Sequence, residues 1–447
     1  MRKFTVLMSM AVLAFADPPT KTLNPQVAEI VSQVSADRIA DIQRKLESFG
    51  TRNIYSATDD PNHGIGAARE WIAAQLKGYS PKLQVTFDKH KLAKQGRAFR
   101  DVEIWNVVAR LPGTSEPNEE VVITGHYDSI HMVFKTGPDG RRQLDSEATV
   151  EAPAPGVTDD GSGTAAVMEL ARIMSKHQFR KTIVFIAFAA EEYGLFGSGL
   201  YAEDAVARHE QIEALFNNDI IGSDVSGNGA STNERVNVYS EEPNDSAPRE
   251  VARYMKEMSE RYSPGFHVDL QFRHDRFGRG GDHSPFAAAG YGAVRVTTPS
   301  EDFANQHTAT DTFANTAPSY TARVAQANAA AIAVLALAPK APAITTPKTL
   351  SFAASPIQRG SGYDAALSWH SDPPEDDLAG YAIVMRKTTA PEWEKEIFVG
   401  DVTKYTVPNV NIDELVFGVK AIDKAGNESL VTPYVTPPYR PQKIMTY

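Results

Sequence analysis

The chain has 447 residues, enough for two or three domains, and its 42% apolar and 23% charged residues exclude a wholly disordered or coiled-coil protein. Its 45 basic and 56 acidic residues give a net charge of −11, which disfavours nucleic acid and anionic membranes as partners. Cysteine is absent, so disulfides, thiol catalysis and cysteine-ligated metals are excluded, and any metal must bind histidine, aspartate or glutamate.

The first residues are typical of an export signal. Two basic residues precede an apolar stretch at 5–15, and small residues lead to Ala16. This pattern predicts a signal peptide over residues 1–16 and a secreted or periplasmic protein. The alternative is an apolar first helix, which Pro18 and the proline after it would end early. No interior apolar run has the roughly 18–20 residues that a transmembrane helix needs.

Residues 17–338 alternate between helical and strand patterns. Helices are predicted at 24–48, 66–76, 163–176 and 319–337, and strands at 83–87, 103–111, 120–124, 182–190 and 293–297. The run 182–190 is apolar almost throughout, as expected for a central strand with both faces covered. This alternation predicts a three-layer α/β/α domain with a mostly parallel mixed sheet.

The pattern changes near residue 339. Three prolines within 339–347 indicate a linker. After it, short alternating runs occur at 365–369, 380–386, 404–407 and 415–421, with no helical period. They predict an all-β sandwich over residues 348–440.

Residues that bind metals follow several of the predicted strands. The run EVVIT leads to His126 and Asp128, TIVFIAFAA leads to Glu191 and Glu192, and later apolar runs lead to Asp219 and His307. Asp159 and Asp160 lie in a glycine-rich turn before a helix. Because sites in open α/β sheets form beyond the carboxyl ends of the strands, these residues are expected to converge.

Each of these pieces has a structural alternative. A single histidine at a strand end is usually hydrogen-bonded, an Asp-Asp pair before a helix is usually a cap, and a Glu-Glu pair is usually solvated. However, Glu191 and Glu192 follow a largely apolar strand, and no lysine or arginine lies between Lys181 and Arg208. Adjacent buried carboxylates need a positive partner, and a divalent cation is the simplest one.

Six motifs occur in order between residues 46 and 338: GHYDS, PGVTDDGSG, AAEEYGLFGS, NNDIIG, GGDHSPF and HTATDT. Together they resemble the secreted dizinc exopeptidases of the bacterial leucyl-aminopeptidase type, which are related to glutamate carboxypeptidases and animal glutaminyl cyclases. The resemblance implies an aminopeptidase that binds two zinc ions and acts on peptides.

The resemblance also implies a role for each residue. One zinc would be held by His126 and Asp219, the other by Glu192 and His307, and Asp159 would bridge both, with an unusual peptide bond to Asp160. Glu191 would act on the water, and Asp128 would orient the His126 ring. Ligands of this kind suit two zinc ions about 3.5 Å apart, and they also accept cobalt or manganese. Glu191 would take the proton of the water and give it to the leaving amine.

Three other functions remain open. A carboxypeptidase acting on acidic or modified peptides would need a basic pocket, which Arg141, Arg142 or Arg279 could supply. A glutaminyl-cyclase-like cyclotransferase with one zinc is disfavoured by the complete set of five ligands. A non-catalytic binding protein is disfavoured because Glu191 is retained.

The sequence departs from the family pattern upstream of Asp282 and His283. The tyrosine that often helps to hold the oxyanion there is absent, and Arg279 is a candidate for that role. Asp282 and His283 are expected to be buried supports. The polar, hairpin-like stretch 135–143 is expected either to form the rim of the pocket or to be a simple surface loop.

The C-terminal region resembles a fibronectin type III module. Trp369 would lie on an early core strand, Tyr381 and Ile383 would share a face, and residues 421–429 would form the last hairpin. With no catalytic constellation, this module is expected to contact the catalytic domain, a cell wall or the substrate.

Overall fold

The computed structural model describes residues 23–275, 279–344, 357–359, 363–371 and 376–435. The predicted signal peptide, residues 345–347 of the predicted linker and several stretches of the predicted sandwich lie outside these ranges. Two compact units are present, one spanning Leu23–Ala338 and the other starting at Pro339. In the described parts of the chain, no helix is both long and apolar enough to cross a membrane.

The unit Leu23–Ala338 alternates helices with strands along its described residues. Its helices are α1 (Pro25–Ser32), α2 (Ala36–Glu47), α3 (Gly64–Tyr79), α4 (Ser146–Glu151), α5 (Gly161–Met174), α6 (Phe196–Arg208), α7 (Ala247–Tyr262), α8 (His283–Ala288) and α9 (Pro318–Leu337). Its strands are β1 (Gln84–Leu92), β2 (Val102–Leu111), β3 (Glu116–His126), β4 (Phe134–Thr136), β5 (Arg142–Leu144), β6 (Lys181–Phe188), β7 (Gln211–Asn218), β8 (Arg235–Tyr239), β9 (His267–Gln271) and β10 (Ala293–Thr297).

Eight of these strands form one mixed sheet in the order β1-β2-β6-β3-β7-β10-β8-β9. Its centre, β6-β3-β7-β10, is parallel, whereas β2 joins β6 and β8 joins β10 antiparallel. The four central strands therefore end at the same edge of the sheet. Strands β4 and β5 pair separately as a hairpin.

Both faces of the central sheet are covered. Every residue of β6 is buried, and alternate side chains such as Val184, Ile186 and Phe188 pack with Tyr201 of α6 and Phe286 of α8. Helices α5 and α9 pack against β3 and β6 as well as each other. Because neighbouring strand residues point to opposite faces, β6 has a helix layer on each side. The predicted α/β/α architecture is confirmed.

The region expected to be one helix, 24–48, is two helices. The Ser35 side chain accepts the backbone N–H of Arg38 and so caps the start of α2, which separates it from α1. The segment containing β8, α7 and β9 was not predicted as regular structure. Its long helix, α7, is capped by Ser246, whose hydroxyl accepts the backbone N–H of Arg249.

The unit that starts at Pro339 contains only strands among its described regular elements. They are β11 (Ile357–Arg359), β12 (Ala365–Ser368), β13 (Leu378–Lys387), β14 (Lys395–Gly400), β15 (Lys404–Val407), β16 (Leu415–Asp423) and β17 (Thr432–Pro433), in two sheets ordered β11-β12-β15 and β14-β13-β16-β17. Trp369, Tyr381, Ile383 and Phe417 share one buried cluster. The predicted all-β unit is present, and its fibronectin type III identity stays a prediction.

Candidate metal centre

The predicted ligands lie at the edge where the four parallel strands end. His126 is the last residue of β3, and Asp219 directly follows β7. Glu191 and Glu192 lie just beyond β6, Asp159 lies just before α5, and His307 lies in the loop after β10. The parallel register thus brings together side chains that are far apart in the sequence.

Two groups of potential ligand atoms share Asp159. In the first, His126 Nε2 is 3.2 Å from Asp159 Oδ1 and 3.9 Å from Asp219 Oδ1. In the second, His307 Nε2 is 3.1 Å from Asp159 Oδ2 and 3.1 Å from Glu192 Oε2. Atoms that bind one zinc tetrahedrally at about 2.1 Å lie roughly 3.4 Å apart, so these separations fit zinc ligation.

His126 has a nitrogen that suits a metal ion. Its Nδ1 is 3.1 Å from the carbonyl oxygen of Asp128, and Nε2 is then the nitrogen directed at the carboxylates. This Nε2 is buried without a hydrogen-bond partner among the described residues, as is Oε1 of Glu192. Buried polar atoms normally have a hydrogen-bond or metal partner, so these two atoms fit a site that binds a cation. The nitrogen and oxygen donors match what zinc accepts.

Asp128 contacts the centre in a way that the sequence did not indicate. Its carbonyl oxygen is the nearer partner of the His126 ring, because its carboxylate Oδ1 lies 3.6 Å from Nδ1. The carboxylate instead accepts the backbone N–H groups of Glu191 at 3.2 Å and Glu192 at 3.3 Å. Asp128 therefore positions both the imidazole and the Glu191–Glu192 turn.

Asp160 connects three elements beneath the ligands. Its carboxylate accepts the backbone N–H groups of His126 at 3.1 Å, Gly163 at 2.8 Å and Ile220 at 3.2 Å. It thereby ties the end of β3, the start of α5 and the residue after Asp219. The peptide bond between Asp159 and Asp160 is cis, the unusual bond that the family resemblance implied.

Glycine allows α5 to begin this close to the sheet. A Cβ atom on Gly163 would lie 2.3 Å from the carbonyl oxygen of Asn218, and one on Gly125 would lie 2.6 Å from the carbonyl carbon of Gly163. Any larger residue at either position would push the helix start away from β3 and β7. The glycines of the DDGSG and GHYDS motifs therefore set the position of Asp159 relative to His126.

Sequence reasoning missed Arg52. This fully buried arginine donates hydrogen bonds to the carbonyl oxygens of Tyr127 at 2.6 Å, Pro155 at 2.5 Å, Gly156 at 2.7 Å and Leu46 at 3.3 Å. It joins the segment after His126 to the loop before Asp159. Burial lowers the pKa of Arg52 to about 10, although Asp311 and Asp128 oppose that shift, and Arg52 still remains charged at neutral pH.

Asp311 was also missed, although it belongs to the HTATDT motif. Its carboxylate accepts the backbone N–H groups of Thr158 at 2.9 Å and Asp159 at 3.0 Å. Asp311 shares this motif with His307, and that proximity in the sequence could have identified it as a residue of the site. Asp311 thereby fixes the backbone that carries the shared carboxylate.

Polar side chains contact the carboxylates of two proposed ligands. Arg295 Nη2 lies 3.2 Å from Oδ2 of Asp219, which leaves Oδ1 to face His126. Gln306 donates from Nε2 to Oδ2 of Asp159 at 3.1 Å, and its Oε1 accepts a hydrogen bond from Arg279 at 3.1 Å. Arg279 thus reaches the centre through Gln306.

The electrostatics separate Glu191 from the shared ligand. Burial raises the pKa of Glu191 well above its ordinary value, and the nearby carboxylates of Asp219 and Glu192 add to this shift. Burial also opposes ionisation of Asp159, but the neighbouring imidazoles of His126 and His307 hold its pKa well below the ordinary value. Glu191 is thus suited to exchange a proton, and Asp159 to remain a charged ligand.

Asp282 and His283 are buried, and neither belongs to the groups of potential ligand atoms found among the described residues. Burial raises the pKa of Asp282 to about 7 and lowers that of His283 to about 3. Arg279 lines the open cavity of about 290 Å³ above the ligands, whereas Arg141 and Arg142 are exposed on the β4–β5 hairpin and are not among its described lining residues.

Residues 106–332 match the model of Peptidase family M28. Similar proteins include probable zinc metalloproteases of Leptosphaeria maculans (34% identical, covering 92% of this chain and 96% of the relative) and Pyricularia oryzae (36%, 90% and 83%). Similar folds occur in the LapA aminopeptidase of Legionella pneumophila (TM-score 0.53, 18% identity, 73% of this chain and 78% of that one) and in the glutaminyl cyclase of Porphyromonas gingivalis (TM-score 0.53, 16%, 67% and 98%). The family match and the curated relatives, together with the fold, lead to one conclusion: the chain belongs to peptidase family M28.

Proposed function

We propose that this protein is an aminopeptidase that removes N-terminal residues from peptides at a centre of two zinc ions. The observation that carries the proposal is the pair of ligand groups that share Asp159, with Glu191 Oε2 4.0 Å from His126 Nε2. Zinc is supported by the donor set and by relatives that are named probable zinc metalloproteases. One ion is assigned to His126 and Asp219, the other to Glu192 and His307, and Asp159 is assigned to both.

Two bound zinc ions would supply acidification of a water molecule and polarisation of the scissile carbonyl group. The chain's own contribution begins with Glu191, which is absent from the two groups that share Asp159 and forms a further group of potential ligand atoms with His126 and Glu192. Asp128 holds the backbone of Glu191 and so fixes the approach of its carboxylate.

Glu191 takes one proton from the water and later delivers it to the leaving amine. A group with an ordinary glutamate pKa would release that proton too readily to act as an acid near neutral pH. Burial in the cluster raises the pKa of Glu191, which brings it closer to the range in which one residue can serve both steps. Once Glu191 has delivered the proton, it is again a carboxylate and can act in the next turnover.

The floor of the cavity supports recognition of a free α-amine. Four carboxylates line it, those of Asp159, Glu191, Glu192 and Asp219. With zinc bound, an oxygen of one of these carboxylates would accept a hydrogen bond from the free α-amine of a substrate, which supports the aminopeptidase. The arginines of the same cavity could bind a C-terminal carboxylate, so the substrate test below separates the aminopeptidase from the carboxypeptidase that the sequence left open.

The test is a comparison of three substrate types with the purified, zinc-loaded full chain, whose zinc is counted by elemental analysis. Aminoacyl-anilides should be cleaved, N-blocked peptides should resist, and peptides with N-terminal glutamine should lose that residue rather than cyclise. The expected zinc content is two ions per chain. Cleavage of N-blocked peptides from the C-terminus would establish a carboxypeptidase, and pyroglutamyl product with one zinc would establish a cyclotransferase.

A further inference from the structure

The cavity above the ligands has a wall of unusual chemistry for an aminopeptidase. Besides Glu191 and four of the five proposed ligands, the described lining residues include three arginines and one glutamine. Only two of them, Leu195 and Ile220, have apolar side chains, and Ile220 is just 4% exposed. Pockets that select large apolar side chains are lined mostly by apolar and aromatic groups. The described wall therefore does not suit a leucine or phenylalanine side chain.

One of the three arginines is already committed. Arg295 is 1% exposed and lies between Asp219 and Asp275, with which it forms ion pairs. Its charge is compensated inside the protein. Arg97 and Arg279 are the two arginines of the lining that remain to face a substrate.

Arg97 lies at the mouth of the cavity without a partner. It occupies the tight turn between β1 and β2, where the backbone groups of Gln95 and Ala98 pair with each other. Its side chain is exposed and forms no hydrogen bond or ion pair with any other described residue. A guanidinium in this position can form a bidentate pair of hydrogen bonds with a carboxylate.

Arg279 also lines the cavity, and its guanidinium is only partly hydrogen-bonded. Its Nη1 donates to Gln306 at 3.1 Å and lies 3.4 Å from Oε2 of Glu301. A guanidinium has five N–H groups, and within the described chain those on Nη2 and Nε have no polar partner. Arg279 can therefore hold Gln306 and still donate to a ligand in the cavity.

We propose that Arg97 and Arg279 select substrates whose N-terminal residue carries a carboxylate side chain, namely aspartate or glutamate. This inference rests on the proposed aminopeptidase function. The carboxylates of the cavity floor are those assigned to the metal ions and to proton transfer, so the arginines at the wall are the groups left to choose the side chain. The same arginines could also bind the C-terminal carboxylate of a short peptide, and the experiment separates the two sources.

The experiment compares isosteric pairs of substrates that differ in charge alone. With the zinc-loaded full chain, kcat/KM is measured for the p-nitroanilides of glutamate and glutamine and for those of aspartate and asparagine. Charge-assisted hydrogen bonds predict about a 10- to 100-fold preference for the acidic member of each pair. Because Arg97 is exposed, that preference should fall as sodium chloride is raised.

Three variants assign the preference to residues. Arg97→Gln and Arg279→Gln should each bring the glutamate-to-glutamine ratio of kcat/KM down by about tenfold or more. Arg142→Gln, which removes an exposed arginine of the β4–β5 hairpin outside the described cavity lining, should leave the ratio unchanged. A glutamate-to-glutamine ratio of kcat/KM near one in the unaltered protein would overturn the proposal. An unchanged ratio in both cavity variants would overturn it as well.

Two further results keep the outcomes distinct. If Leu-Gly is strongly preferred over Leu-glycinamide, the arginines recognise the C-terminus of a short peptide and the side-chain proposal is wrong. If aminoacyl-anilides of every kind are inert while N-blocked peptides are cleaved, the aminopeptidase function itself has failed. Cleavage of anilides without any charge preference removes only the inference about Arg97 and Arg279.

Discussion

Arg52 offers the sharpest test of how the centre is held in place. Of the four carbonyl oxygens that it binds, those of Leu46 and Gly156 also accept backbone N–H groups. Those of Tyr127 and Pro155 have no second partner among the described residues. Replacing Arg52 therefore leaves two buried acceptors that depend on it, one beside His126 and one in the loop before Asp159.

The size of the effect follows from those two bonds. A hydrogen bond from a charged donor contributes about 1.5–3 kcal/mol to the free energy of unfolding. Arg52→Lys keeps the charge but has a single nitrogen in place of a fork, so we expect it to lose one bond and about 2 kcal/mol. Arg52→Met loses both bonds and should cost about 3–6 kcal/mol. Displacement of the two segments should also weaken zinc binding by roughly 10- to 100-fold.

The assay is urea unfolding of the metal-free proteins, followed by zinc titration against a competing chelator. Arg44→Lys, an arginine on α2 whose side chain is 56% exposed, is the matched control and should change neither quantity. Stability and zinc affinity should both be highest in the unaltered protein, lower in the lysine variant and lowest in the methionine variant. Equal stability of the lysine variant and the unaltered protein would refute the reasoning, because the hydrogen bonds of the fork would then contribute nothing.

Four other expectations can be measured directly. Glu191→Gln should retain both zinc ions by elemental analysis and lose about 10³-fold in kcat. The exposed control Glu203→Gln should be fully active. Loss of metal from the Glu191 variant would show that Glu191 is a ligand. Asp159→Asn should lose tight binding of both ions on dialysis, and loss of only one would indicate a mononuclear site. A chain ending at Pro339 should bind zinc and cleave small anilides, because every proposed ligand precedes that residue. If this shortened chain were folded and zinc-loaded but inactive, the C-terminal unit would be needed to complete the site. Exported protein should begin directly after Ala16 by mass spectrometry, and an intact N-terminus would contradict the predicted signal peptide.

The central sheet could be predicted because its pattern is strong. Strand β6 is buried on both faces, and its apolar run shows this directly in the sequence. The carboxylates that follow it predicted a cation, and parallel strands explain why the proposed ligands from other strand ends are nearby. These features depend on residue type and spacing, which a sequence displays.

The contacts that position the centre could not be predicted in the same way. Arg52 binds main-chain carbonyl oxygens, and any residue supplies those, so no partner side chain marks the interaction. Asp128 likewise reaches His126 through its carbonyl oxygen, and its carboxylate binds backbone N–H groups. The break between α1 and α2 depends on the Ser35 cap, which competes with an otherwise continuous helical period.

The arrangement of the ligands also affects how long the fold persists. They come from five separate segments between residues 126 and 307, in a chain that has no cysteine with which to cross-link them. Ions bound there would fasten the ends of the central strands to one another, and they would have to be released before those strands separate. Unfolding would then become a slow step gated by metal release. The lifetime of the folded protein would therefore depend on metal occupancy as well as on the hydrophobic core.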